Sequence, residues 1–229
     1  ELDKKMAKSL VERYKNTINV KIINQDFLEY KLPDQPFIVI SNIPFNITAA
    51  IIRKLLNSKV KSAYLIIQKE AADKYLGPPI AHSPLLSHFL RVDYIIKKLL
   101  NIDRKNYTPK PNFDTSFVLF KKRQKPILNK QKDELFKDFL TYVFERRNSE
   151  LGKSLKQIMS SLQIKVMCKE LGIKREKEIK KITFDEWFKI FNIFSSHSLQ
   201  SAQNKIIGKY KRLTKEQVKL KKVHRTRKD

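Results

Sequence analysis

The sequence predicts an α/β domain followed by a smaller all-helical one, and three observations carry that prediction. Short β-branched runs alternate with segments of helical periodicity through the first half, the pattern of a mainly parallel sheet covered by helices. The composition changes between Lys121 and Pro126, and the apolar segments beyond it have helical spacing. The chain then closes on a strongly basic stretch. The sequence divides accordingly into three regions: 1–124, 125–196 and a tail at 197–229.

Taken in order, Glu1–Asp3 reads as the tail of a strand. Lys4–Asn16 reads as a helix, with Met6, Leu10, Val11 and Tyr14 near helical spacing. Val20–Ile23 and Phe37–Ile40 are β-branched runs, the second bounded by the breakers Pro33 and Pro36. Thr48–Leu56 predicts a helix and Ala63–Ile67 a buried strand. Glu70–Tyr75 and Leu85–Phe89 predict short helices, and Val92–Leu99 and Thr115–Phe120 predict strands. Beyond the composition change, helices are predicted over Asp133–Phe144, Lys153–Leu162, Val166–Leu171 and Phe184–Phe194. Thr183–Phe184–Asp185–Glu186 is an N-terminal helix signal ahead of Trp187. Phe136, Phe139, Leu140 and Val143, with Trp187, Ile190, Phe191 and Phe194, form apolar stripes that read as core.

The 229 residues are 41% hydrophobic, enough to build a sizeable core. Lys and Arg number 49 against 23 Asp and Glu, a formal charge of +26 that opposes compaction by self-repulsion. A polyanionic partner is the commonest reason for such a charge, because each neutralised phosphate releases a counterion. A lysine-rich coding bias is the alternative. Cys168 is the single cysteine, so neither an internal disulfide nor a cysteine metal cluster forms, as suits a reducing cytosol. It reads as a small packing residue. His82, His88, His197 and His224 lack ligand spacing, and no metal site is expected. No apolar run reaches membrane-spanning length.

Chemistry concentrates at Ser41–Asn42–Ile43–Pro44–Phe45, directly after the run Phe37–Ile40. Open α/β sheets bind ligands at the carboxyl ends of their strands. An exocyclic adenine amine is a poor nucleophile, because its lone pair is delocalised into the ring. Hydrogen-bond acceptors for both of its N–H groups localise that pair, and the Asn42 side-chain oxygen and the Ile43 carbonyl supply two. Pro44 fixes the backbone, and Phe45 offers a face for a base drawn out of its helix. Glu1 and Asp26 stand at the ends of two preceding strand candidates, where acids bind ribose hydroxyls and an adenine amine. Each alone also reads as a solvated helix-capping acid.

Five segments carry a resemblance. They are Glu1–Leu2–Asp3–Lys4–Lys5, Asn24–Gln25–Asp26–Phe27, Val39–Thr48, Tyr64–Glu70 and Tyr107–Thr108–Pro109–Lys110–Pro111. In order and approximate spacing they resemble the Erm family of 23S rRNA adenine-N6 methyltransferases. The resemblance implies a class I, Rossmann-like S-adenosylmethionine methyltransferase domain lacking its first strand, followed by a small helical domain. It implies that Glu1 binds the donor's ribose, that Leu2 flanks its adenine, and that Asp26 and the Phe27 backbone bind the adenine edge. Asn42 then lies between donor and target amine. Phe45 stands where the family usually has Tyr, and Tyr107 matches the second aromatic that closes on the target base. The family's glycine-rich cofactor loop has no counterpart here, since the first glycine is Gly77. The sequence accordingly reads as a copy lacking its natural N-terminus.

The resemblance further implies a cytoplasmic, monomeric enzyme that acts on rRNA and confers macrolide–lincosamide–streptogramin resistance. RNA contacts are assigned to Lys110 and to Lys209, Lys211, Arg212, Lys221, Lys222, Arg225 and Arg227 of the tail. Lys110 reads equally as an exposed lysine on a proline-stiffened turn, and the tail as either a disordered run or an arm that folds on RNA. Three alternatives stay open: the sister family of small-subunit rRNA dimethyladenosine transferases, a non-catalytic RNA-binding fragment, and a DNA adenine methyltransferase.

Overall fold

The computed structural model describes residues 1–78, 80, 85–145 and 150–225, with side chains to 217. Its elements are β1 (Phe37–Asn42), β2 (Val60–Gln68), β3 (Tyr94–Ile102) and β4 (Thr115–Lys122), with helices α1 (Lys4–Tyr14), α2 (Thr48–Leu56), α3 (Lys69–Leu76) and α4 (Leu85–Asp93). Helices α5 (Lys130–Glu145), α6 (Leu151–Leu155), α7 (Ser161–Leu171), α8 (Phe184–His197), α9 (Gln200–Asn204) and α10 (Lys209–Arg225) complete the chain. The strands form one sheet in the order β1-β2-β4-β3. It is mixed rather than mainly parallel. β1 and β2 run parallel, but β4 is entered from the 103–114 loop instead of a crossover helix and returns antiparallel to β2.

Two compact units result, residues 1–69 with 98–122, and residues 70–97 with 123–229. In the first, α2 lays Ile51, Ile52 and Leu55 on the sheet residues Val60, Leu65 and Ile67, all buried. Neither Glu1–Asp3 nor Val20–Ile23 forms a strand. A ladder needs a continuous partner, and here the Glu1 amine donates to the Ile23 carbonyl at 3.0 Å and the Gln25 N–H to the Glu1 carbonyl at 3.1 Å, a single bridge's worth of bonds. Asp3 leaves that bridge to cap α1, its carboxylate accepting from the Met6 N–H at 2.8 Å.

The second unit is built on aromatic packing. Phe139 meets Phe194 at 5.0 Å between ring centres, Phe136 meets Phe191 at 5.1 Å, and Trp187 lies against Phe139 and Phe144. The predicted core stripes of α5 and α8 are all buried. Phe89 and Val92 of α4 join the same core. The Thr183–Glu186 capping box forms as the sequence signalled, and Lys177 holds Glu186 at 2.6 Å. The predicted helix Lys153–Leu162 is instead broken. The first helix, α6, stops at Leu155, and Ser160 and Gln163 make a second capping box that starts α7.

Candidate active site

Register places the candidate residues. Asn42, the last residue of β1, lies opposite Ile66, and Gln68, the last of β2, lies opposite Thr115, the first of β4. The loops after β1 and before β4 therefore leave from the same end of the sheet. The Ile43 N–H donates to the Ile66 carbonyl at 3.4 Å, which extends the ladder one residue past the strand. Side chains alternate along an extended backbone, so Ile43 is buried and Asn42 is exposed. Pro44 opens a 3₁₀ turn at Phe45–Ile47, and the Thr48 hydroxyl reaches the Pro44 and Phe45 carbonyls at 3.3 and 3.1 Å. The turn is thus held from behind, and the Asn42 amide is unengaged among the described residues.

The 103–114 loop is braced at both ends. Asp103 accepts from the Lys105 N–H at 2.8 Å, Asp114 from the Arg104 N–H at 3.1 Å, and the Asp114 carbonyl from the Lys69 N–H at 3.0 Å. The Tyr107 hydroxyl bonds Thr115 Oγ1 at 2.7 Å, and the Thr108–Pro109 peptide is cis. Phe113 packs edge-on against Phe45, ring centres 4.7 Å apart, and this contact ties the two loops together. Lys110 is exposed close to Asp103, whose carboxyl is held below its usual range. The Lys105 backbone N–H is the main cause, and the ammonium groups of Lys105 and Lys110 add to it. The structure thus brings Asn42–Phe45, Tyr107 and Lys110 to one end of the sheet.

The residues assigned to a nucleoside also have defined surroundings. Glu1 Oε1 accepts from the Leu2 and Asp3 N–H groups at 2.8 and 3.0 Å, and Leu2 is exposed. Asn24 donates to the Glu1 and Leu2 carbonyls at 2.9 and 3.1 Å, which fixes the acid beside the Asp26 loop. Asp26 accepts from the Leu28 N–H at 2.7 Å. A cavity of about 310 Å³ opens between Glu1, Ile22, Ile23, Phe27 and Tyr30. Glu1 is the one carboxylate of that lining, which also carries Lys21 and Gln25 beside its apolar residues.

Sequence reasoning missed Lys54. From the last turn of α2 its ammonium donates to the carbonyls of Phe27, Leu28 and Tyr30 at 2.8, 2.7 and 2.6 Å and sits 5.5 Å from the Phe27 ring. It is the clamp that holds the Asp26–Phe27 loop on the helix following Asn42. Only its charge on an otherwise apolar helix face marked it out.

The tail residues divide. Lys209 is engaged, 2.8 Å from Glu145 and over the Tyr142 ring, whereas Lys211 and Arg212 are exposed. Lys221, Lys222 and Arg225 fall on α10, and Arg227, like His82, lies outside the described residues. No three His, Cys, Asp or Glu among the described residues approach metal geometry, and no described helix is long and apolar enough to cross a membrane. Cys168 is buried, and burial pushes its thiol up, as for a packing residue.

Residues 1–196 match the model of the family described as ribosomal RNA adenine dimethylase. The chain belongs to that family. Its methyl donor is S-adenosylmethionine. An rRNA adenine N-6-methyltransferase of Bacillus licheniformis is 28% identical over 200 residues, covering 86% of this chain and 69% of the relative. The ribosomal RNA small subunit methyltransferase A of Thermotoga maritima is 29% identical over 193 residues, 83% of this chain and 64% of that protein. The chain thus spans about two thirds of the length of these relatives. Among solved structures, the 23S rRNA methyltransferase ErmE superposes with a TM-score of 0.77 at 22% identity, over 85% of this chain and 80% of that one. A dimethyladenosine transferase from Plasmodium falciparum gives 0.59 at 20% identity. These likenesses establish the Rossmann-like methyltransferase fold with its helical C-terminal region.

Proposed function

We propose that this dimethylase-family chain transfers methyl groups to N6 of an adenosine in 23S rRNA, as the catalytic body of a macrolide-resistance enzyme. The observation that carries the reading is the Phe45–Phe113 contact, which locks the loop bearing Asn42 to the loop bearing Tyr107 at one end of the sheet. The Asn42 side-chain oxygen and the Ile43 carbonyl accept the two N–H bonds of the exocyclic amine and turn its lone pair towards the donor. Phe45 and Tyr107 offer aromatic faces for the extruded base. S-Adenosylmethionine supplies an electrophilic methyl on a sulfonium. Glu1 holds the ribose hydroxyls, Leu2 flanks the adenine, and Asp26 and the Phe27 backbone bind its edge. The amine gains a positive charge on alkylation and releases its proton to solvent, so no strong base is required.

Support for 23S rRNA comes from the Phe184–Trp187 helix start and the basic tail. The Thermotoga relative favours a second reading, a small-subunit dimethyladenosine transferase. The whole enzyme, on this account, is a cytoplasmic monomer. We further infer that its cofactor pocket is completed by a glycine-rich segment upstream of Glu1. β1 lies at the edge of the sheet, its outer backbone side calling for a covering strand, and one of its faces exposes Ile38 at 62% and Ile40 at 78%, which calls for a covering helix. The test incubates this chain, and the gene product extended upstream, with labelled S-adenosylmethionine and protein-free large- or small-subunit rRNA. Label in large-subunit RNA from the extended form supports the 23S reading. Label in small-subunit RNA selects the second reading, and none in either rejects the enzyme.

A further inference from the structure

The basic tail is a helix set by a specific clasp. Gly208, at φ +83°, turns the chain into α10, a backbone conformation that a side chain would strain. Asp138 of α5 then receives that helix start, one carboxylate oxygen accepting from the Gly208 N–H at 2.9 Å and the other from the Tyr210 N–H at 2.8 Å. An anion there also opposes the positive end of the helix dipole. Tyr210 packs edge-on against Phe89 at 5.0 Å, and Lys209 bonds Glu145 at 2.8 Å. These contacts use up the buried side of the first turn.

The opposite side is cationic. Lys211, Arg212 and Lys215 are exposed, and Lys211 and Lys215 have no acidic partner among the described residues. Arg212 meets Glu216 at 3.0 Å in a largely exposed pair, weak enough for a stronger anion to displace. Glu216 is the sole acid between Lys209 and Arg225. Lys211 and Lys215 stand one helical turn apart, about 6 Å along the axis, on one line of the helix. A helix this charged repels itself when isolated, and a clasp at its start gives it a fixed direction.

We propose that α10 is a preformed rail for an RNA backbone, with Lys211, Arg212 and Lys215 as phosphate contacts and Asp138 as the residue that aims it. Its partner is the sugar–phosphate backbone of the rRNA substrate, so the inference rests on the reading of an RNA substrate given above. It supplies affinity and register, and has no part in the transfer step.

The experiment monitors binding of the full chain to a fluorescent, protein-free rRNA fragment by anisotropy across a salt series, without methyl donor. Replacing Lys211, Arg212 and Lys215 together by Gln should weaken binding at least about tenfold and lower the salt slope by about 2, the release expected for three phosphates. Asp138→Ala raises the net charge by one, yet is expected to weaken binding about three- to tenfold, because the rail is no longer aimed. Far-UV circular dichroism confirms that each variant is folded. An unchanged slope in the triple variant overturns the phosphate contacts. Unchanged or tighter binding by Asp138→Ala overturns the clasp and leaves a merely charged tail. Capture of α10 by anionic phosphatidylserine vesicles in preference to RNA overturns the choice of partner. Stripe-dependent binding in a protein that never transfers methyl rejects the methyltransferase reading alone, which keeps the two failures apart.

Discussion

Lys54→Met removes three charge-assisted hydrogen bonds and keeps the length and apolar body of the side chain. In the native chain the ammonium gathers the carbonyls of Phe27, Leu28 and Tyr30 and lies 5.5 Å from the Phe27 ring. Hydrogen bonds to a charged group contribute roughly 1.5–3 kcal/mol each, but one half-buried ammonium shared among three acceptors falls well short of the sum. The carbonyls regain water once the loop loosens, so the expected net loss is about 2–3 kcal/mol, with the cation–π part at most about 1 kcal/mol of it. The loss is local. It should appear in hydrogen exchange of the Leu28 and Tyr30 amides, which Asp26 holds at 2.7 and 2.9 Å. Their exchange should accelerate roughly 30- to 150-fold, with amides of α8 in the other unit unchanged. Lys54→Arg should recover part of the protection. Exchange within threefold of wild type at Leu28 and Tyr30 would refute the clamp.

Other outcomes rest on the same geometry. Asn42→Ala should abolish methyl transfer and leave the melting temperature within a degree or two, because the side chain is exposed and makes no contact among the described residues; a large drop in stability would mean that Asn42 is structural. Phe113→Ala removes the edge-on partner of Phe45 and should raise KM for RNA more than it lowers kcat, read in steady-state kinetics. Phe191→Ala, at a fully buried site, should cost about 3–5 kcal/mol in urea unfolding. His88 gives the pH dependence. Burial first, and then the Arg91 charge, push its imidazole down from 6.5 to about 3, so between those values the unfolded chain binds a proton that the folded chain does not. Stability is full above pH 6.5 and should fall by about 1.4 kcal/mol per pH unit towards 3, a slope that His88→Leu should flatten in urea titrations.

The sequence disclosed whatever lies contiguously within it. Asn42–Phe45 begins on the last residue of its strand, and the helix predicted at Thr48–Leu56 is α2 to the residue. The core stripes of α5 and α8 were readable from spacing alone. Pairing was not. Val20–Ile23 has strand composition, yet composition cannot supply the partner that a ladder requires. The mixed sense of the sheet likewise depends on how β4 returns beside β2. The break between α6 and α7 was legible in principle, because Ser160 and Gln163 have capping-box spacing inside an otherwise periodic segment. Lys54, Phe113 and Asp138 act across 24 to 72 residues of chain, and apart from the charge of Lys54 on its apolar helix face nothing local distinguishes them from ordinary residues of their type.

The central claim is that Asn42 and its loop deliver an rRNA adenosine to a methyl donor. Its most direct test is mass spectrometry of nucleosides from protein-free large-subunit rRNA after incubation with S-adenosylmethionine and the upstream-extended protein, wild type beside Asn42→Ala. N6-methylated adenosine formed by wild type and absent with Asn42→Ala is the predicted result. An equal yield from both, or a methyl group on any other atom of the RNA, would contradict it.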